Sequence, residues 1–131
     1  MSPAASFVAF LALTLAGLGG VFWTGLHGQR RRHIPLVVLT LTFLGMTIYY
    51  AERLGEGLDV SRAGRITPVH LTLAKITTLA YLAPVASGIA TLRDPGWRML
   101  HGKIAWTVLV LTVLTAVTGI WMVLASPPLT S

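Results

Sequence analysis

The amino-acid sequence predicts an all-α integral membrane protein, a bundle of four transmembrane helices. Of its 131 residues, 54% are hydrophobic and only 11% are charged, whereas about a quarter of a soluble domain is charged. The mean hydropathy is +0.75. The apolar residues form four long runs, and the charged residues are concentrated between those runs. At this length the chain is predicted to be a single domain.

Each apolar run is close to the roughly 20 residues that cross the hydrocarbon core of a bilayer. The predicted spans are residues 7–26, 34–51, 69–92 and 104–125, the last extended N-terminally by an interfacial segment from residue 95. Lys75 is the one charged residue inside them. Runs this uniform differ from the alternating strands of a membrane barrel, so we expect helices, which satisfy their own backbone groups. The first run lacks a basic segment before it, which favours a true span over a signal peptide.

Glycine and proline mark the expected helix ends. Gly28 follows the first run, where a C-terminal cap is expected. Thr67-Pro68 and Asp94-Pro95 each predict an N-cap followed by proline in the first turn. Pro84 lies inside the third run and should kink it, because proline cannot donate to the preceding turn.

The basic residues predict an orientation. One side carries Arg30–Arg32, Arg93, Arg98 and Lys103 against Asp94, and the other carries Arg53, Arg62 and Arg65 balanced by Glu52, Glu56 and Asp59. The positive-inside rule makes the first side cytoplasmic and places both termini outside. The predicted location is a bacterial inner membrane. The net charge of +6 then indicates contact with a lipid bilayer rather than with nucleic acid.

Histidines at the predicted cytoplasmic ends of the spans could ligate haem iron. His101 begins the fourth span, His27 ends the first and His33 begins the second. A bis-histidine b-type haem needs two imidazoles at equal depth, so His101 with His27 or with His33 is the candidate pair. Arg30 and Arg98 would hold the propionates. The alternative is that these histidines face water or lipid headgroups.

A second group of polar residues lies at the predicted external ends of the spans. It consists of Tyr49, Glu52, His70 and Lys75. A charge such as Lys75 within a span is costly and is often functional. These side chains predict a quinone pocket or a proton path. The alternative is a structural ion pair between Lys75 and Glu52.

Small residues recur along the first span at Ala12, Ala16, Gly20 and Thr24. Such a stripe is typical of helix packing in membranes and could also make room for a flat cofactor. A short echo relates Leu26-His27-Gly28 to Leu100-His101-Gly102. The same offset relates Gly45 to Gly119, which is a weak indication of duplication.

The second half of the chain carries a pattern with a loose resemblance to known proteins. It comprises Pro68-Val69-His70 through Lys75, Pro84, Gly88, Trp97-Arg98, His101 and Thr118-Gly119. This pattern resembles small four-helix bacterial membrane proteins and is loosely similar to membrane b-type cytochromes, in which histidines on a four-helix core ligate haem. The resemblance implies a ligand role for His101 with His27 or His33. Two-haem members place paired histidines on both sides, whereas His70 stands alone here.

The leading functional hypothesis is a small membrane electron-transfer protein or subunit with one b-type haem, which would exchange electrons with a quinone. A non-catalytic accessory or assembly subunit of a larger membrane complex, with other membrane subunits as partners, is the alternative. A small proton-conducting or transport bundle is the third. The absence of cysteine excludes thiolate metal sites and iron–sulfur clusters, and no hydrolase or kinase motif is present. We therefore expect an electron-transfer or accessory subunit rather than a stand-alone enzyme.

Overall fold

The structure is a computed structural model that describes residues 2–129. Its α-helices are α1 (Pro3–Leu26), α2 (Arg30–Gly55), α3 (Ile66–Ala80), α4 (Leu82–Arg93) and α5 (Arg98–Ala125). Short 3₁₀ turns at Val60–Ala63 and Pro95–Trp97 precede α3 and α5. The fold is therefore all-α, as predicted.

Four helical stretches are long and apolar enough to cross a membrane, which confirms the predicted number of spans. They are Pro3–Leu26, Arg30–Gly55, Ile66–Arg93 and Pro95–Ala125. The second begins at Arg30, four residues before the predicted apolar run, because the turn after α1 needs only three residues. The arginines therefore form the first turn of α2 and not a separate loop.

The chain divides into two compact units, one up to Leu58 and one from Asp59 onward. In the first unit α1 packs along α2, and in the second unit α3 and α4 pack along α5. Each unit is thus an antiparallel helix pair, the second with one broken helix. The predicted placement of the termini outside the cytoplasm stays a prediction.

Two of the predicted helix ends are confirmed. Gly28 has a φ of 65°, a left-handed conformation that glycine adopts without steric cost, and the N–H of Gln29 donates back to the carbonyl of Thr24 at 2.9 Å. Asp94 caps the turn before α5, because its carboxylate accepts from the N–H of Gly96 at 2.8 Å. The two capped turns lie next to basic residues, Arg30–Arg32 after Gly28, and Arg93 and Arg98 on either side of Asp94.

The third predicted cap is wrong. Helix α3 begins at Ile66, so Thr67 already lies inside it. The hydroxyl of Thr67 instead donates to the carbonyl of Val60, which ties the 3₁₀ turn to the helix that follows it.

The predicted kink at Pro84 takes the form of a break. Helix α3 ends at Ala80 and α4 begins at Leu82, with Tyr81 between them. Proline has no N–H to donate to the carbonyl four residues earlier, here that of Ala80. The backbone is thereby freed one turn before the proline, where the helix is interrupted.

The side chains that are buried in this chain are mostly polar, the reverse of the apolar core of a soluble protein. Among the described residues, nine buried side chains belong to serine or threonine, and only Val108 and Met122 are buried and large apolar. Large apolar side chains lie outside instead, for example Leu124, which is 82% exposed. Lipid tails solvate such side chains as well as a protein interior does. The burial pattern therefore indicates that the chain is an integral membrane protein.

The segment before α3 is attached to the end of α5 by hydrogen bonds. The N–H of Asp59 donates to the carbonyl of Pro127 at 2.9 Å. The carboxylate of Asp59 accepts from the Ser61 hydroxyl, and Arg62 lies 3.1 Å from it. The hydrogen bond from Ser61, aided by the charge of Arg62, holds the pKa of Asp59 below its usual range. This carboxylate therefore stays ionised at neutral pH.

Candidate functional site

Hydrogen bonds between side chains connect the helices within each unit. In the first unit the pairs are Thr14–Thr47 at 3.0 Å and Thr24–His33 at 3.1 Å. In the second unit they are His70–Thr118 at 3.1 Å, Thr77–Thr115 at 2.8 Å, Tyr81–Thr112 at 2.8 Å and Ser87–His101 at 3.0 Å. Three of these six pairs contain a histidine, and each of those histidines bonds through Nδ1.

The direction of the hydrogen bonds follows from the single proton of each hydroxyl. In every pair one hydroxyl also bonds a carbonyl of its own helix: Thr47 to Phe43, Thr24 to Gly20, Thr118 to Leu114, Thr115 to Leu111, Thr112 to Val108 and Ser87 to Pro84. A hydroxyl that donates its only proton there can only accept from its partner on the other helix. The partner, whether hydroxyl or imidazole, is therefore the donor.

Each of the three histidine rings also packs over a glycine next to the accepting hydroxyl. We call the dipeptides Thr24-Gly25, Ser87-Gly88 and Thr118-Gly119 imidazole seats, occupied by His33, His101 and His70 respectively. A Cβ built on the glycine would lie 3.2 Å, 3.3 Å or 2.8 Å from Cε1 of the ring, in that order. A side chain at Gly119 would collide with the ring, whereas at Gly25 or Gly88 the ring would have to shift by a few tenths of an ångström.

We assign the same tautomer to the three seated histidines from these hydrogen bonds. Nδ1 is the donor to each hydroxyl, and for His33 it also lies 3.0 Å from the carbonyl of Val21, which can only accept. In the neutral imidazole the lone pair is then on Nε2. This is the arrangement of a metal-ligating histidine, whose other nitrogen donates to an oxygen that orients the ring.

His27 lies in a different environment. Its side chain is exposed, and Nδ1 lies 2.8 Å from the carbonyl of Trp23 in its own helix. The ring stacks against Trp23, with 4.2 Å between ring centroids. His27 is therefore held by its own last turn, whereas His33 is half-buried and held by the neighbouring helix.

The turns that precede His33 and His101 are alike in the two units. Each histidine is the fourth residue of its helix, and each of those helices begins with an arginine, Arg30 in α2 and Arg98 in α5. Residues three apart share a helix face, and both arginines are exposed. Each unit thus places a seated imidazole one turn inside an exposed guanidinium.

The residues of the predicted quinone or proton site are divided between the units. Tyr49 and Glu52 lie near the end of α2, and both are exposed. His70 occupies its seat on α5, whereas Lys75 is exposed on α3. The guanidinium carbon of Arg53 lies 5.5 Å from the centre of the Tyr49 ring. A common site for these residues stays a prediction.

The predicted haem pair is divided in the same way, with His101 in the second unit and His27 and His33 in the first. The choice of either partner therefore stays a prediction. In residues 2–129 no three histidine or carboxylate side chains are grouped as a metal site.

Sequence reasoning missed the imidazole seats. The signal was present, since each seat is a hydroxyl residue followed directly by glycine. The repeated Leu-His-Gly tripeptide suggests that His27 corresponds to His101. In the structure it is His33, and not His27, that occupies a seat like that of His101. The matched glycines also differ, because Gly45 has open space where Gly119 contacts His70.

Replacing Gly119 by alanine is expected to displace His70 from its seat. The new Cβ would lie 2.8 Å from Cε1 and 3.3 Å from Nε2 of the ring, too close for a ring that is also held through Nδ1. We expect a loss of about 1–3 kcal/mol in the free energy of unfolding, the usual cost of overpacking, measured by titration with sodium dodecyl sulfate. Gly45→Ala is the matched control, and equal losses in both variants would contradict the contact.

Comparison with protein-family models, curated proteins and solved structures finds no match to this chain. The similarity to membrane b-type cytochromes therefore rests only on the pattern of residues in the sequence. The chain is therefore a membrane protein of four spanning helices that pack as pairs, and three of its histidines occupy imidazole seats.

Proposed function

We propose that this protein is a membrane electron-transfer protein or subunit that binds one b-type haem through His101 and His33. The observation that carries the proposal is the shared seat geometry, in which Nδ1 donates to a hydroxyl and the lone pair is on Nε2. His33 is preferred to His27 as the second ligand because only His33 is oriented by a seat on another helix.

The donor set fits a haem with two nitrogen ligands. Imidazole is a common axial ligand of haem iron, and hydrogen bonds to its second nitrogen are among the means by which a protein adjusts the reduction potential. The seat hydroxyls of Thr24 and Ser87 supply that hydrogen bond at 3.1 Å and 3.0 Å. The absence of cysteine excludes thiolate as a ligand.

Arg30 and Arg98 are proposed to bind the propionates. Each lies three residues before a seated histidine, on the same face and nearer the helix start. A guanidinium forms paired hydrogen bonds with a carboxylate. The exposed position of both side chains suits a cofactor edge at the membrane surface.

The chain's own contribution is ligation, orientation and burial. The bound haem supplies a reversible one-electron couple. Ser87 and Thr24 keep the two imidazoles in one tautomer and one orientation, so little rearrangement is needed when the charge at the site changes. His70 is a proposed proton acceptor for a quinol, since its seat also leaves the lone pair on Nε2.

The proposal is tested by the visible spectrum of the purified protein, first oxidised and then reduced with dithionite. The protein should be expressed in haem-replete cells and kept in mild detergent. We expect a sharp reduced α-band and about one haem per chain, since each ligand pair coordinates one iron. A colourless protein that folds normally would refute haem binding.

One observation favours the alternative of an accessory subunit. Ala12 and Ala16 of the predicted small-residue stripe are exposed, whereas its other two members, Gly20 and Thr24, contact α2 together with Thr14 and Gly17. Small residues on an outer face allow another helix to approach closely. This alternative predicts a colourless protein that copurifies with other membrane subunits.

A further inference from the structure

A groove in the second unit begins along α5 just after His101. It has a volume of about 280 Å³, and it runs between the broken helix and α5. Its lining residues are Ala80, Ala83, Lys103, Ile104, Thr107, Val108 and Leu111. His101, Ile104, Val108 and Leu111 lie at successive intervals of three or four residues, so the groove continues the face of α5 that carries the imidazole.

The groove exists because two alanines lie where the partner helix is interrupted. Ala80 and Ala83 flank the break at Tyr81, so neither side chain fills the space beside α5. Pro84 leaves the carbonyl of Ala80 without its usual donor. The groove is therefore lined by small side chains where the helix is broken and by apolar side chains of α5 opposite.

Polarity changes along the groove in one direction. Lys103 marks one end, Thr107 follows one turn later with its hydroxyl bonded to the carbonyl of Lys103 at 3.0 Å, and Leu111 marks the other end. Lys103 and Leu111 are eight residues apart, which corresponds to about 12 Å along a helix. The groove is thus cationic at the helix start and apolar toward the helix centre.

The lining of the groove contains no acidic residue. Asp94 is the one acidic residue between Ile66 and Leu129 in the sequence, and its carboxylate already accepts from the N–H of Gly96. Arg93 and Arg98 add positive charge at the same end of the second unit. An occupant of this groove should therefore be negatively charged at the Lys103 end and apolar along about 12 Å of its length.

We propose that this groove binds one anionic phospholipid, with its phosphate on Lys103 and one acyl chain between Ala83 and Leu111. A single acyl chain is a slender apolar occupant, which suits a groove bounded by alanine on one side and by Ile104 and Val108 on the other. A partner helix would need a broader contact, and a neutral quinone would make no use of the charge on Lys103. The site would be independent of haem.

The test is native mass spectrometry of the intact chain, delipidated in detergent and titrated with phosphatidylglycerol or phosphatidylcholine. We expect one phosphatidylglycerol to bind more tightly than the others. Lys103→Gln should weaken that binding about fivefold, the contribution of one basic residue at an anionic surface. Ala83→Leu should weaken it without changing any charge, because leucine fills the groove.

Two controls separate this site from general attraction of lipid. Lys75→Gln removes a charge from α3, and Ala86→Leu adds the same bulk at an exposed position outside the groove. Both should bind phosphatidylglycerol like the unaltered chain. The proposal is overturned if Lys103→Gln and Ala83→Leu retain full binding, if the controls lose as much, or if phosphatidylcholine binds equally well.

Discussion

Replacement of His101 by alanine is expected to abolish the reduced α-band. His101 is held at 3.0 Å by Ser87 and packs over Gly88, and it is the ligand common to both predicted pairs. Losing one of two axial imidazoles leaves the iron with an open position and removes the low-spin spectrum of a bis-histidine haem. The measurement is the reduced-minus-oxidised spectrum, with haem content determined on the same sample.

The other histidines make this experiment discriminating. His33→Ala should have the same effect, whereas His27→Ala should leave the spectrum unchanged, since His27 is exposed and bound to its own helix. Circular dichroism establishes that each variant is folded. A spectrum lost with His27→Ala and kept with His33→Ala would make His27 the second ligand and reject the assignment based on the seats.

The seat itself is tested through Ser87. Ser87→Ala removes the acceptor of the Nδ1 proton and so lowers the basicity of the ligand. We expect the haem to be retained and its reduction potential to rise, because a less basic ligand stabilises the oxidised iron less. Ser87→Thr keeps the hydroxyl and should restore the potential. An unchanged potential in Ser87→Ala would mean that Ser87 has only a packing role.

Replacement of Gly17 by alanine is expected to be the most destabilising glycine substitution in the first unit. A Cβ at this position would lie 2.5 Å from Oγ1, 3.1 Å from Cγ2 and 3.2 Å from Cβ of Thr40. Rotation of Thr40 cannot relieve all three contacts, and its hydroxyl is bonded to the carbonyl of Leu36 at 2.7 Å. The helices α1 and α2 must therefore move apart.

The expected loss is about 2 kcal/mol in the free energy of unfolding, within the range for overpacking of a close contact. Unfolding by sodium dodecyl sulfate, followed by circular dichroism, measures it. Gly19→Ala is the matched control two residues away, because open space surrounds that position. Alanine there should be neutral or slightly stabilising, since it favours the helix. A loss at Gly19 equal to that at Gly17 would contradict the packing of α1 on α2.

Much of the fold was predictable because the membrane imposes simple requirements. Each spanning segment needs enough apolar residues and must satisfy its own backbone, so hydropathy alone indicates four helices. Glycine and proline at Gly28, Asp94-Pro95 and Pro84 act through local backbone geometry, and there the predictions agree with the structure. The N-cap prediction at Thr67 is wrong because α3 already begins at Ile66, and the Thr67 hydroxyl donates to the carbonyl of Val60.

The candidate site was predictable only as a set of residue types. The sequence alone determined that histidines lie at the ends of the spans beside arginines, and that the chain is built to lie in lipid. It did not determine which histidines contact a neighbouring helix, because that depends on how the helices pack against each other. Thus His27 and His33 are near-equivalent in the sequence, yet the structure separates an exposed ring from a seated one.

The tertiary structure alone decided which small residues are contacts. Ala12 and Gly17 belong equally to the small residues of α1, but Ala12 is exposed whereas Gly17 meets Thr40. The pairing of the helices also brings the accepting hydroxyl of each hydrogen-bonded pair, already bonded to a carbonyl of its own helix, next to a donor on the neighbouring helix. In three cases that donor is an imidazole, and the hydrogen bond orients its ring. The physical reason is that hydropathy is a property of each segment, whereas a hydrogen bond or a close approach requires two segments in register.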